Sequence, residues 1–228
     1  MDTARHAKVA TENGAARRRC LIIRTVIIDP QAVPVSIAYQ LLTSTVIPRP
    51  IGFISSLSPE GVANLAPFSF FNAVCGEPPM IMFSASNRSP LKDTLRNVQA
   101  MREFVVNIVS EELAEAMNLT AADYAPEVSE FDVSGLTPVS SDLVRPPRVL
   151  ESPVNMECRV HDIVEVSSRP MGGSIVIGEV IRFHVRDSII DKDMFIDPDK
   201  LKPVARLGGP SYSRIRDRFD MFRPVVKK

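Results

Sequence analysis

The chain has 228 residues, of which 45% are hydrophobic and 24% charged, with 27 Lys plus Arg balancing 27 Asp plus Glu. That length suits one large domain or two small ones, and a balanced charge gives no reason to expect nucleic acid as a partner. Its three cysteines, Cys20, Cys75 and Cys158, are too sparse for a disulfide framework and point to a reducing, cytoplasmic setting. No apolar run approaches the roughly 20 residues a bilayer span needs, so no membrane is expected either.

In chain order, Arg17-Arg18-Arg19 precedes Cys20-Leu21-Ile22-Ile23, and Arg24 interrupts the apolar run. That pattern fails as a secretory leader. Residues 1–20 read as a disordered N-terminal extension and residues 21–228 as a single domain. Residues 21–29 are β-branched and stop at Pro30, which suggests a strand or extended lead-in. A short helix is expected over Ile37–Thr43. Ile51–Leu57 and Val62–Leu65 flank Ser58-Pro59-Glu60-Gly61, the signature of a hairpin. Met80–Ala85 is a continuous apolar strand.

Ser89-Pro90 offers a favoured cap followed by a favoured first helical residue, with Leu91, Leu95 and Val98 on one face. Phe104–Val109 is the next strand, and Ser110-Glu111-Glu112 begins a second helix with acidic residues at its positive end. Residues 120–150 read as a long surface excursion. Val154–Val166 and Ser174–Ile190 are long strands joined by a Met171-Gly172-Gly173 turn. In the second of them Ile181, Phe183 and Val185 alternate with Arg182, His184 and Arg186, so one face should be wet. The fold expected is mainly β, an antiparallel barrel with a few flanking helices.

The chemistry concentrates between Ile47 and Asn97. A helix start collects unpaired N–H groups and the positive end of the dipole. Ser89–Thr94 adds Lys92 and Thr94 there, with Arg88 just before. A phosphate would suit it; a plain capped surface helix would produce the same letters. Arg49 between Pro48 and Pro50 is held extended and could meet a phosphate, a ring edge or only solvent. Ser55 and Ser56 are hydroxyls on an apolar strand that need partners. Phe68, Phe70 and Phe71 surround Ser69, and by strand parity one side could wall a planar ring while the other enters the core.

Taken together, Pro48-Arg49-Pro50-Ile51, Asn64-Leu65-Ala66-Pro67-Phe68-Ser69-Phe70-Phe71-Asn72, Lys92-Asp93-Thr94, Phe104-Val105-Val106-Asn107, Gly178-Glu179-Val180 and Leu207-Gly208-Gly209-Pro210-Ser211-Tyr212 resemble the flavin reductase-like, FMN-binding split-barrel family. That family includes flavoredoxin-type proteins and the reductase components of two-component monooxygenases. The resemblance runs over residues 35–224. It implies a split β-barrel, a homodimer and FMN near the dimer interface. By position it implies that Ser55, Ser56, Arg88, Lys92 and Thr94 hold the phosphate or ribityl groups, with Arg49, Pro50 and Asp93 also among the cofactor-binding residues. Asn64, Ala66, Ser69, Phe70 and Phe71 would line the isoalloxazine, Ser84 and Ser86 would contact the ribityl chain, and Tyr212 would approach from the C-terminal loop.

The function this implies is an NAD(P)H-dependent flavin oxidoreductase, with FMN passing electrons to free flavin, oxygen or a partner monooxygenase. No catalytic side chain is nominated, because the flavin carries the chemistry. Short members often carry a Gly-Asp-His turn ahead of the Gly-Glu-Val strand, where this chain has Met171-Gly172-Gly173-Ser174. That His handles nicotinamide or flavin. Its replacement favours the alternative, a non-enzymatic FMN electron-transfer or storage protein.

Other chemistries fit less well. Cys158-Arg159-Val160-His161 places a Cys and a His three apart on a strand, hence on opposite faces, and no metal is expected. His161 and His184 fall at surface positions of their strands. The chain has no Gly-x-Ser-x-Gly elbow, no Gly-x-Gly-x-x-Gly and no Walker loop.

Overall fold

The computed structural model describes residues 24–226. The extension assigned to residues 1–20, and the first part of the 21–29 strand, lie outside the described residues. Residues 24–29 form no strand. Two compact units are distinguished, residues 1–38 and 39–228. In the first, a turn closes from Asp29 to Ala32 and leads into helix α1 (Val35–Thr45), close to the helix expected from the sequence.

The second unit is mainly β and antiparallel. Strand β1 (Arg49–Pro50) precedes β2 (Gly52–Leu57), β3 (Ala63–Phe68), β4 (Phe71–Gly76) and β5 (Pro79–Ser86). Helix α2 (Asp93–Met101) and β6 (Glu103–Ile108) follow. After a 3-10 turn at Glu111–Leu113 come α3 (Ala114–Leu119), α4 (Glu130–Ser134), β7 (Pro138–Val139) and β8 (Arg148–Val149). The long strands β9 (Val154–Glu165) and β10 (Gly173–Val185), then α5 (Pro198–Leu201), β11 (Val204–Arg206) and β12 (Tyr212–Arg214), complete the chain. The main sheet has seven strands in the order β3-β2-β6-β9-β10-β5-β4, and β1-β11-β12 form a smaller sheet. The expected hairpin is β2–β3, paired in register from Gly52↔Phe68 to Leu57↔Ala63.

Strand β2 explains the layering. Its alternate side chains feed two cores: Ile54 joins Phe68, Phe83, Leu95, Phe104 and Val176, while Phe53 joins Leu65, Met117, Phe131, Leu136 and Val149. A strand covered on both faces reads as a continuous apolar run. Phe53, Phe83 and Phe104 are fully buried, each stabilising by roughly 1.5–3 kcal/mol against an exposed ring. The second core corrects the surface excursion expected over 120–150. Phe131, Leu136, Val144 and Val149 are buried. Asn107 ties the segment down, accepting the Val149 N–H at 2.9 Å and donating to the Phe53 carbonyl at 2.9 Å.

Two boundaries also differ. Helix α2 starts at Asp93, not at Ser89-Pro90. Asn87 is pinned to the β9–β10 turn through the Gly172 carbonyl at 2.9 Å and the Ser167 carbonyl at 2.9 Å, which holds the lead-in out of the helix, and Leu91 is left exposed. Strand β10 ends at Val185, with a 3-10 turn at Asp187–Ile189. A register shift between Val180 and Arg182 turns its faces over. Phe183, expected on the dry face, is therefore 55% exposed.

Candidate functional site

Strand β3 ends at Phe68, and the chain bends through Ser69 and Phe70 before β4 resumes. The Phe70 carbonyl accepts the Ser84 N–H at 2.8 Å, so the bend is held against β5. It opens a cleft of about 240 Å³ lined by Tyr39, Pro67, Phe68, Ser69, Phe70, Ser84, Ser86, Lys92 and the Met171–Gly173 turn. The Phe70 ring is half-exposed toward it and lies 6.4 Å from the Tyr39 ring, centre to centre. A Cβ on Gly173 would sit 3.0 Å from Ser84 Oγ, so glycine lets the β10 end of the wall close. The cleft thus combines aromatic plates, three serine hydroxyls and one cation.

Beside it, a cavity of about 70 Å³ is lined by Asn64, Ala66, Pro67, Arg88, Lys92, Asp93, Thr94 and the 120–124 loop. The two share Pro67 and Lys92, making one trough. Helix α2 opens on this cavity with no side-chain cap, and its first intrahelical bond runs from the Arg96 N–H to the Lys92 carbonyl at 3.1 Å. The N–H groups ahead of Arg96 are left without intrahelical acceptors, the arrangement that receives an anion. Arg88 is paired to Asp123 and Asp93 to Arg96. Lys92 is the lining cation that forms no ion pair among the described residues.

Behind this wall lies a buried hydrogen-bond network. Asn64 donates through Nδ2 to both Glu130 oxygens at 2.8 Å and accepts on Oδ1 from Thr94 at 2.8 Å and Ser56 at 3.2 Å. Asn97 donates to Ser56 Oγ at 3.2 Å, while Asn97 Oδ1 is buried with no partner among the described residues.

These facts correct several expectations. Ser56 is fully buried within this network. Ser55 is fully buried too, donating to the Pro147 carbonyl and so clamping the excursion rather than facing the trough. Phe71 enters the core at 9% exposure. The Ser69–Phe70 bend resets strand parity, leaving Phe70 as the ring wall. Asn64 and Ala66 line the smaller cavity and not the aromatic cleft. Thr94 lines the smaller cavity, but its hydroxyl proton goes inward to Asn64. Pro50 is exposed and lines none of these cavities. Ser69, Phe70, Ser84, Ser86, Arg88, Lys92, Asp93 and Thr94 do come together along the trough. The sequence pattern does not single out Glu130, Tyr39 or the Met171–Gly173 wall: Glu130 falls in the 120–150 stretch, and Tyr39 reads only as a helix residue.

Arg49 and Tyr212 belong to a third cavity of about 630 Å³, which shares Tyr39, Pro67 and Ser69 with the ring cleft. Arg49 is 6% exposed, and its guanidinium donates to the carbonyls of Thr43 at 2.5 Å, Val46 at 2.8 Å and Leu207 at 3.0 Å. Burial is the main cause lowering its pKa, with the Arg206 charge adding to it.

Away from the trough, Asp142, Glu157 and His184 bring ligand-type atoms within 4.8 Å of one another. Glu157 is fully buried, accepting the Asp142 N–H at 2.8 Å, the Leu143 N–H at 2.6 Å and contact from His184 Nε2 at 2.6 Å. Asp142 pairs with Arg182 at 2.6 Å. The group is a clamp on the 138–150 segment, and His184 is a partner in it rather than a free surface residue. Cys158 is buried in the first core, and burial pushes its thiol pKa far up, leaving it inert.

Comparison with known proteins identifies the fold and the family. Solved structures with this fold include nitrilotriacetate monooxygenase component B from Bacillus cereus, 36% identical with a TM-score of 0.84, covering 87% of this chain and 100% of that one. They also include 2-nitrobenzoate 2-nitroreductase from Pseudomonas fluorescens, 34% identical with a TM-score of 0.80, covering 87% and 96%. A split-barrel-domain protein from Shewanella frigidimarina, 24% identical with a TM-score of 0.75 over 86% and 96%, shares the fold. Residues 43–204 match the flavin reductase like domain, a stretch holding every trough residue but Tyr39, and the chain belongs to that family.

Proposed function

We propose that the trough binds FMN and that the chain is an NAD(P)H-dependent flavin oxidoreductase, delivering electrons to free flavin, oxygen or a partner oxygenase. The observation that carries this reading is the uncapped start of α2 beside Lys92, opening into a cleft with an aromatic wall and three hydroxyls. The residues fit the group. Backbone N–H groups of α2 and Lys92 would take the phosphate, Ser84 and Ser86 the ribityl hydroxyls, and Phe70 with Tyr39 the ring. Arg88 contributes less than its charge suggests, since Asp123 already offsets it.

A flavin bound there supplies hydride acceptance and onward electron transfer. The chain's own part is to fix the ring at one end and the anion at the other, and to shield one ring face with Phe70. FMN is the flavin proposed, its single phosphate placed at the small cavity where α2 begins. The seven-strand sheet is read as a split barrel working as a homodimer. An edge strand β4 with Val74 half-exposed supports a covering partner.

A second reading, an FMN electron carrier or store, is favoured by one observation. The Met171–Gly173 turn, which stands in place of the Gly-Asp-His turn that the family resemblance would imply, forms part of the cleft wall. Anaerobic addition of NADH or NADPH to the FMN-loaded protein separates the two. Bleaching of the flavin absorbance supports the reductase, and a flavin that stays oxidised leaves the carrier.

A further inference from the structure

Among the described methionines, Met117 and Met156 are buried, while Met171, Met194 and Met221 are exposed, Met171 least of the three at 53%. Met171 lines the ring cleft and also an outer cavity of about 610 Å³ bounded by Asn87, Arg88, Leu91, Leu95 and Ser174. Met194 and Met221 line neither. Met171 holds φ at +63°, in the left-handed region that an L side chain rarely adopts. The turn around it is fixed. The Gly172 N–H donates to the Arg169 carbonyl at 2.7 Å, the Asn87 N–H to the Gly172 carbonyl at 2.9 Å and the Val166 N–H to the Gly173 carbonyl at 2.9 Å. The Ser174 hydroxyl donates to Asn87 Oδ1 at 2.9 Å. A Cβ on Gly172 would sit 2.2 Å from the Ser167 carbonyl oxygen, so the turn closes too tightly for a second side chain. A fixed backbone thus presents one thioether to the cleft. A thioether packs well against an aromatic ring, and an exposed one is open to oxidation to a polar sulfoxide.

We propose that Met171 is a site of reversible oxidation by hydrogen peroxide, and that its sulfoxide lowers the affinity of the cleft for a flavin ring. The sulfur lone pair attacks one peroxide oxygen, and the S–O bond forms as the O–O bond breaks. The sulfur gives up two electrons, and the departing hydroxide takes the proton left on the new oxygen to form water. That oxygen sets a hydrogen-bond acceptor where a soft apolar wall faced the ring, and covering it with a ring strips its hydration. The oxidant follows from the proposed function, because passing two electrons and two protons to oxygen yields hydrogen peroxide. Aerobic cycling without a receiving partner would then unload the flavin that sustains it. The source of oxidant and the identity of the ring rest on the proposed function; the exposure of the thioether and its place on the cleft do not.

The test treats the full chain with hydrogen peroxide, in a Cys20→Ser, Cys75→Ser background so that only thioethers respond, and reads each methionine by peptide mass spectrometry. Saturating FMN is expected to slow oxidation of Met171 at least fivefold and to leave Met194 and Met221 unchanged. That footprint needs no substitution at Met171. Protein oxidised without FMN, then freed of peroxide with catalase, should bind FMN at least fivefold more weakly, and methionine sulfoxide reductase should restore the affinity. Met171→Leu should show the same FMN affinity before and after peroxide, whereas Met194→Leu should lose affinity on treatment as the parent does. Equal oxidation of Met171 with and without FMN, an unaltered FMN affinity after full oxidation, or a peroxide effect that persists in Met171→Leu overturns the inference while leaving the flavin site in place. A parent protein that takes no FMN before treatment overturns the flavin reading, and this inference with it.

Discussion

Asn64 Nδ2 donates to the Glu130 carboxylate, shared between its two oxygens at 2.8 Å each, and the same carboxylate accepts the Leu65 N–H at 2.9 Å. Glu130 is 6% exposed. A helix from the second core therefore holds the strand that lines the trough's smaller cavity. Truncation by Glu130→Ala strands two buried donors, the Asn64 amide and the Leu65 N–H, and the expected loss is about 2–3 kcal/mol of folding stability, read by denaturant unfolding. FMN affinity should fall as well, because Asn64 orients Thr94. A loss below about 0.5 kcal/mol, the level of an ordinary surface change, would contradict this role.

Glu157 governs an acid limb of stability. Burial raises its pKa, but the Asp142 N–H, His184 and the Leu143 N–H outweigh it and hold the carboxyl below its ordinary value of 4.5. A carboxyl depressed on folding adds stability that is fully present above the unfolded value and is lost as pH falls through the folded one. Stability should therefore decline below about pH 4.5, and Glu157→Gln should flatten part of that decline in thermal melts taken across the acid range. Asp142, held low by Arg182, titrates in the same window, so the flattening will be partial. A decline as steep in the variant as in the parent would count against the clamp.

Gly178 lies where β10 passes the first core. A Cβ there would sit 2.4 Å from the tip of the Phe104 ring, and that ring is fully buried. Gly178→Ala should cost roughly 1–3 kcal/mol by overpacking, while the folded fraction keeps its FMN affinity. Unfolding midpoints and flavin titration on the same preparation separate the two effects.

Ser55 discriminates the sequence expectation from the structure. With its hydroxyl turned to the Pro147 carbonyl, Ser55→Ala should lower stability by about 1 kcal/mol, a typical net hydrogen bond, and leave FMN affinity within twofold. A large affinity loss without a stability loss would restore Ser55 to the phosphate site.

The sequence shows β2, β3, β5, β6 and β9 well because each is a run of apolar or alternating residues between turn residues. It also brings out Ser69, Phe70, Lys92 and Thr94 as neighbours in one site. What it hides follows from long-range packing. Ser55 and Ser56 look like ligand hydroxyls until the 120–150 segment is seen to supply Pro147 and Glu130 across more than 60 residues of chain. Phe70 and Phe71 exchange roles because a bend, invisible in a periodic reading, resets parity at Ser69. Phe183 turns outward because a bulge lies beside it. The Arg49–Arg206 pairing depends on a strand partner 157 residues away and has no local signature.

The most direct measurement is a fluorescence titration of FMN against riboflavin, with the parent protein and Lys92→Ala. Saturable binding of one FMN per chain is predicted, with riboflavin bound at least tenfold more weakly in the parent because it lacks the phosphate. Lys92→Ala should weaken FMN by about tenfold, the effect of about 1.4 kcal/mol, and leave riboflavin unchanged. Absence of FMN binding, or equal affinity for FMN and riboflavin, would contradict a phosphate seated at the start of α2.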